Sequence, residues 1–578
     1  MSHLLDVARG DRLADFVIKN VRVANVFTLE YEDIDVAVCN GKIAGLGKDY
    51  EGQEIVNGEG GVLIPGMIDG HVHIESTLLA PSVFAEAVAP HGTTTVMADP
   101  HEIANALGMA GVEYMYHASR GLPIDVLLGA PSCVPASQYE TPRDELDMTA
   151  VQEMFRNGWC QHLGEVMNFP ALIAGDPAVW GKIEAAGDVP LTGHVPGVTG
   201  KALNAYLISR VSSDHETSTI EEAREKLRRG MWLMIREGAS FPDLHTLLPL
   251  LKENPLYFAR CMAVTDDITA LYIKEVGHMD AKVRIMIEGG LDPIIALRLV
   301  TLSPAQYFRL WDRGAIAPGR RADMALVDSL EHLEVRHVWK EGRQTVRDGE
   351  IINEQKRRIS IPLPRAVCVT PLTVENLRVP VPRSKNDDGK ELKINVIGVT
   401  QGDIMTKTLV RTPRVENGLV VADPERDIAK IVVLERHRNT RRFTVGFVSG
   451  LGLKWGALAS SVAHDAHNFV AVGMDDRSIA TAIARLCETG GGLTVAEGAT
   501  IKGTLPLPIG GLMTEQSAEE TADAIAELEI SAAELGVKIP HPFMVLSFLC
   551  LSVIPELRIT DQGYVDITKG GFRPLFVK

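Results

Sequence analysis

Residues 61–73, GVLIPGMIDGHVH, decide how this chain reads. An apolar run over residues 61–68 ends in Asp69-Gly70-His71-Val72-His73. Side chains of an extended strand alternate faces, so His71 and His73 point the same way, one step apart, and can share one cation. Further apolar runs end at Asp99, Glu165, His194, His215 and Asp266. A packing motive would scatter such polar residues along the strands; here seven good metal ligands gather at strand ends. Imidazoles and carboxylates converging from several strands form a two-metal cage that activates water, so the pattern predicts a metal-dependent hydrolase.

The runs recur every 20–35 residues with helical stretches between them: VLIPGMID, GTTTVMADP, IDVLLGAP, CQHLGEV, VPLTGHV, RVSSDHE, MWLMIREG and ARCMAVTDD. Eight such units predict an α/β chain built on a (β/α)8 TIM-like barrel, with its site at the C-terminal ends of the strands. Short strands flank it on both sides, over residues 14–47, where Asn40-Gly41 marks a hairpin, and over residues 322–349. The two flanks are expected to pair into one small β-sandwich. After the Pro-rich stretch ISIPLPRAVCVTPL and the polar PRSKNDDGKE, alternating strands and helices predict a C-terminal α+β domain. The expected boundaries are 1–62 and 316–362 for the two parts of the sandwich, 63–315 for the barrel and 363–578 for the last domain.

A chain of 578 residues exceeds what one core holds, and its 46% apolar content is that of a globular protein. A net charge of −17 argues against nucleic acid or an anionic membrane as partner. The odd count of seven scattered cysteines, the charged start and the interrupted apolar stretch at residues 542–554 predict a cytoplasmic protein.

Each motif has a bland alternative. Glu165, in HLGEVMNF, reads as a helix cap or as a buried carboxylate that needs a cation and is placed to bridge two. His194, in LTGHVPG, and His215, in SSDHE, read together as holders of the second metal. Asp266 is preferred to Asp267 on strand register. Asp99-Pro100-His101-Glu102 reads either as a capped helix start or as groups lining the site. Arg236 is either an ion-pair partner of Glu237 or a substrate-orienting group. His464-Asp465-x-His467-Asn468 looks like a metal cluster, but without further ligand spacing a polar turn is preferred. His437, in ERHRNTRRF, is expected on a solvated basic face.

The blocks PGMIDGHVHIEST, TTTVMADPHEIANALG, LGEVMNFP, GHVPGVTGKALNAY, SSDHE and IREG closely resemble bacterial adenine deaminases of the amidohydrolase superfamily. The resemblance runs from about residue 15 to the end and includes SSVAHDAHNFVAVG, LPLPIGGLMTE and HPFMVLSFLCL. It implies conversion of adenine to hypoxanthine and ammonia at two divalent ions, Mn(II) first, with Fe(II) or Zn(II) as alternatives. His71, His73, Glu165, His194, His215 and Asp266 would be the ligands. Glu165 would bridge where a carboxylated lysine does so elsewhere in the superfamily. Hydroxide supplied by the metals would attack C6 of the purine, with Asp266 taking its proton. Either Glu102 or Glu165 would protonate the ring, and Asp99, His101 and Arg236 would contact substrate. The chain departs from the expected pattern in the ASFPDL stretch after Gly238. A homo-oligomer, dimer or higher, is expected. Two rival readings are a cyclic-amide hydrolase, which wants a lysine at the fourth strand end where Lys182 is the closest, and a barrel without metals acting as a scaffold.

Overall fold

The computed structural model describes residues 2–238, 242–254, 256–352, 361–382, 391–402 and 404–577. Ala239, Ser240 and Phe241 of the ASFPDL stretch lie outside these residues, as do 359–360 and 383–390 of the linker.

Five parallel strands lie side by side in chain order: β1 (Met67–Val72), β2 (Thr93–Ala98), β3 (Asp125–Ala130), β4 (Cys160–Val166) and β5 (Leu191–Gly193). A second parallel arc holds β6 (Ser213–Asp214), β7 (Trp232–Arg236) and β8 (Cys261–Val264). Hydrogen bonds join the arcs at both seams. The Asp266 N–H donates to the His71 carbonyl at 2.9 Å and the His73 N–H to the Asp266 carbonyl at 3.3 Å. On the other side, the Ser212 N–H reaches the Leu191 carbonyl at 3.4 Å. Every residue of β1, β2 and β8 is buried, which is why these parallel strands read as unbroken apolar runs. Helices return the chain between strands, and several start on a side-chain acceptor for their free N–H groups: Asp147, Asp176 and Thr219.

The first apolar run proves to be two strands. Val62–Pro65 pairs antiparallel with Met324–Val327 and parallel with Arg22–Asn25, in a sheet drawn from both flanks. Gly66 then turns the chain into β1; a Cβ there would collide with Thr94. A second flanking sheet comes from the N-terminal segment alone, in the order Lys42–Gly47, Asp35–Cys39, Ala14–Lys19, Gly52–Asn57. Phe16, Ile18, Val38 and Ile43 of that sheet pack against Leu63, Met324, Leu326 and Trp339 of the first. Asn40 and Gly41 both take positive φ, 51° and 72°, as a tight hairpin turn requires.

The C-terminal region is built on a nine-stranded mixed sheet. Helix Asp476–Thr489 packs on one face of it, and helix Ala518–Glu534 starts in a reciprocal cap between Ser517 and Glu520. The apolar segment at residues 542–554 contains the buried helix Pro542–Phe548. Its Met544, Phe548 and Leu551 pack on Cys133, Ala136 and Met167 from the loops after β3 and β4. This packing sets the C-terminal region over the strand ends. Among the described residues no helix is long and apolar enough to cross a membrane.

Candidate metal centre

His71 sits inside β1 and His73 one residue past it, so both imidazoles project from one face of the strand. Their Nε2 atoms lie 3.4 and 3.2 Å from Asp266 Oδ1 and 3.8 and 3.3 Å from Glu165 Oε1. The His73 Nδ1–H donates to the Asp99 carbonyl at 3.1 Å, which leaves the Nε2 lone pair free to face the cluster. His71 Nε2 is buried without a hydrogen-bond partner. Asp266 follows β8 with a positive φ of 59°, which turns its carboxylate inward. Asp267 stands outside this group and accepts from Ser76 Oγ at 2.5 Å.

Glu165, near the end of β4, is the centre of the arrangement. Its Oε2 lies 2.9 Å from His194 Nδ1 and 3.3 Å from His215 Nε2, while Oε1 faces His71 and His73. One carboxylate therefore stands between two pairs of imidazoles, brought in from β1, from the end of β5 and from the end of β6. Burial alone would raise its carboxyl, yet His215, His194 and His73 hold it well below the ordinary carboxylate range. Burial would likewise lower His215, and Glu165 carries it up to about 9 instead. Asp266, also opposed by burial, is held well below its usual range by His71 and His73. The cluster demands positive charge, and imidazole nitrogens with carboxylate oxygens at these separations suit divalent metals. The donor set fits the expected ions.

The helix-cap alternative for Asp99 does not hold. Helix His101–Leu107 has Pro100 at its N-cap and no side-chain cap, whereas Asp99 Oδ2 accepts the Glu165 N–H at 2.7 Å. Asp99 thus fixes the turn that carries Glu165. Arg236 pairs with Glu216 at 2.5 Å, Asp243 at 2.7 Å and Asp266 at 3.4 Å, while Glu237 accepts the Leu244 N–H. The guanidinium thereby steers Asp266. Lys182 donates to the Ser132 carbonyl at 2.8 Å, away from the cluster.

The C-terminal region closes the site. His73, Glu165, Asp266 and Arg236 share a small cavity with Ile404, His464, Asp465, Phe548 and Leu551. The His464–Asn468 stretch is a turn before strand Phe469–Gly473, packed on the barrel loops with His464 and Asp465 lining the cavity. His467 Nδ1 accepts the Ala463 N–H at 3.1 Å, so its Nε2 carries the proton and donates to Glu102 Oε2. Glu102 is therefore an acceptor. Burial opposes its charge, but His464, His467 and His101 keep it well below the carboxylate range.

The solvated face expected for ERHRNTRRF holds for its later part, where Arg438, Arg441 and Arg442 are exposed, but not for its start. Arg436 is fully buried, donating to the carbonyls of Ala366 at 3.0 Å and Gly510 at 2.9 Å. His437 is buried too, its Nε2 2.6 Å from the Ala466 carbonyl. Backbone carbonyls turned inward need donors, and this run supplies them. Glu216 and the cavity residues Met167, Ile404 and Phe548 were not anticipated. Glu216 directly follows His215, and that adjacency was its only signal.

The family model described as the Amidohydrolase family matches residues 62–351, and the Adenine deaminase C-terminal domain matches residues 403–571. The chain is 42% identical over 567 residues to an adenine deaminase of Dehalococcoides mccartyi, covering 98% of each. It is 40% identical over 580 residues to an adenine deaminase of Kosmotoga olearia, covering 99% of this chain and 98% of that one. Among solved structures, a beta-aspartyl dipeptidase from Fervidobacterium islandicum superposes with a TM-score of 0.44 at 18% identity, over 60% of this chain and 99% of that one. With its parallel strands, its buried histidine–carboxylate cluster and adenine deaminase relatives along nearly its whole length, the chain belongs to the adenine deaminases of the amidohydrolase family.

Proposed function

We propose that the chain hydrolyses adenine to hypoxanthine and ammonia, in purine salvage or catabolism, at a two-cation centre in a closed (β/α)8 barrel. The observation that carries this reading is Glu165, one carboxylate between two pairs of imidazoles. His71, His73 and Asp266 would hold one ion, His194 and His215 the other, and Glu165 both. Near-complete coverage of curated adenine deaminases supports the choice of substrate. The barrel would span residues 63–315, its sandwich 1–62 and 316–362, and the C-terminal domain 363–578. Mn(II) is the proposed native ion, and the seven free cysteines support a cytoplasmic homo-oligomer only in its reducing location.

Two divalent ions bound there would polarise a water molecule and make it nucleophilic near neutral pH. The chain's own groups do the rest. Asp266, its second oxygen held by Arg236, is placed to take a proton from that water and pass it to the ring nitrogen, and then to carry the remaining hydroxyl proton to the amine as it leaves as ammonia. Each such transfer is worth about 10²–10⁴-fold in rate. Asp99, which accepts the Glu165 N–H, His101, which faces Glu165 Oε1, and Arg236 are the groups proposed to contact the substrate. Met167, Ile404, Phe548 and Leu551 offer an apolar wall to a planar heteroaromatic ring and exclude bulk water.

Stripping the enzyme with a chelator and adding Mn(II) back, with ammonia release followed on adenine, hydantoin and dihydroorotate, tests the proposal. Activity should return with Mn(II) and on adenine alone. Turnover of a cyclic amide in place of adenine would overturn the substrate, and restoration by Mg(II) alone would count against a nitrogen-rich site.

A further inference from the structure

Next to the Glu165 cluster, in the same cavity, lies a second group of donors that the two-cation centre above does not use. His101 Nε2, Glu102 Oε1, His464 Nδ1 and Asp465 Oδ1 converge from helix His101–Leu107 and from the turn at residues 461–468. Their separations are 2.8 Å for His464–Glu102, 3.3 Å for His101–Glu102, 3.6 Å for His464–Asp465 and 3.9 Å for His101–Asp465. A tetrahedral ion with bonds of about 2.1 Å holds its ligand atoms about 3.4 Å apart. The four contacts of His71 and His73 with Asp266 and Glu165 span 3.2 to 3.8 Å, much the same range.

Two further observations point to a ligand here. Glu102 is 1% exposed, and its Oε1 has no hydrogen-bond partner although His464 Nδ1 is only 2.8 Å away. The two atoms meet as an ion pair without a well-aligned hydrogen bond, a separation that two ligands of one ion can also adopt. The outer contacts also suit a metal. His101 turns its other nitrogen, Nδ1, towards Asp99 Oδ1 at 3.5 Å, and Glu102 Oε2 is fixed by the proton on His467 Nε2. Carboxylates behind ligating histidines and donors behind ligating carboxylates are what hold such ligands in place.

We propose that His101, Glu102, His464 and Asp465 bind a third divalent cation, zinc-like in its donor preference, which staples the C-terminal region to the mouth of the barrel. Two buried carboxylates, Glu102 and Asp465, receive the charge they need, and two neutral imidazoles complete an N2O2 set. The ion would join segments more than 360 residues apart in sequence, Glu102 and His467 being separated by 365. This site shares no ligand with the two-cation centre proposed above, although it lines the same cavity.

Anomalous diffraction from crystals of the full-length enzyme grown with excess Zn(II), together with metal counting in solution, decides the matter. The wild type should show three peaks per chain, the third between His101 and His464, and bind three equivalents. His464→Ala should lose that peak and drop to two equivalents while the peaks beside Glu165 remain. Asp465→Asn, which keeps the side-chain volume, should do the same if the alanine variant folds poorly. Absence of a peak between His101 and His464 in the wild type, or its persistence in both variants, overturns the third site. Loss of adenine turnover with all three peaks present would overturn the proposed reaction and leave this site standing.

Discussion

Glu165 is the residue on which the site turns, because its two oxygens face different pairs of imidazoles. Glu165→Gln keeps the shape but replaces one oxygen by an NH2 group, which has no lone pair to offer a cation. We expect most activity and at least one metal equivalent to be lost; full occupancy of the two metals beside residue 165, with unchanged turnover, would remove it as the bridge. Gly164 carries a second test. A Cβ there would stand 2.5 Å from Asp99 Oδ2, the atom that accepts the Glu165 N–H, so something must shift. Gly164→Ala should therefore displace Glu165 and reduce kcat by about 10²-fold while the fold survives. Circular dichroism and kcat read together check this, and wild-type turnover in the variant would show that the turn tolerates the methyl group. At this scale the sequence was informative where ligands end buried strands, since an apolar run that stops at a histidine or carboxylate has few structural uses for it. It was uninformative for Glu216 and Asp267, which sit beside the chosen residues and differ from them only in which way the turn points.

The elements that carry the second pair of imidazoles are tied by one lysine. Lys226, on helix Ile220–Arg228, is fully buried, its Nζ donating to the Val195 carbonyl at 2.8 Å, Asp214 at 2.9 Å, Thr217 at 2.9 Å and Glu222 at 2.5 Å. Asp214 in turn accepts the Val195 N–H at 2.7 Å. The ends of β5 and β6, with His194 and His215, are thus fixed to each other and to the helix. Lys226→Met would leave two buried carboxylates without their cation, at a cost of about 3–5 kcal/mol. Urea unfolding should show that loss, and a midpoint shift below about 1 kcal/mol would mean that the carboxylates find another partner. The alternation of strands and helices around this lysine was legible because period and burial coincide there. The two-residue β6 and the split of the first run were not, since Gly66 passes the chain between sheets within an unbroken apolar stretch.

On the scale of the whole molecule, the C-terminal region completes the cavity. Ile404, His464, Phe548 and Leu551 line it, and Met544, Phe548, Leu551, Val553 and Ile554 bury an apolar cluster against Cys133, Ala136 and Met167. Polar contacts cross the same boundary: Thr141 to Asp561 at 2.7 Å, Asn468 to the Thr141 carbonyl at 3.1 Å, and Leu78 and Ala80 to Thr514 at 2.9 Å each. None of these partners is near its mate in sequence. The composition of the C-terminal region therefore showed that its apolar segment must be buried, but not what would cover it. Ending the chain near residue 365 would expose that barrel face, open the cavity to water and leave Glu102 without His464 and His467. The truncated protein should be insoluble, or soluble with sharply reduced adenine turnover, because water screening weakens the field that the metals and Asp266 exert on the substrate. Sedimentation and ammonia release on the same preparation test both branches. A soluble fragment with full turnover would mean that the barrel shields its own site and that the C-terminal region serves another purpose.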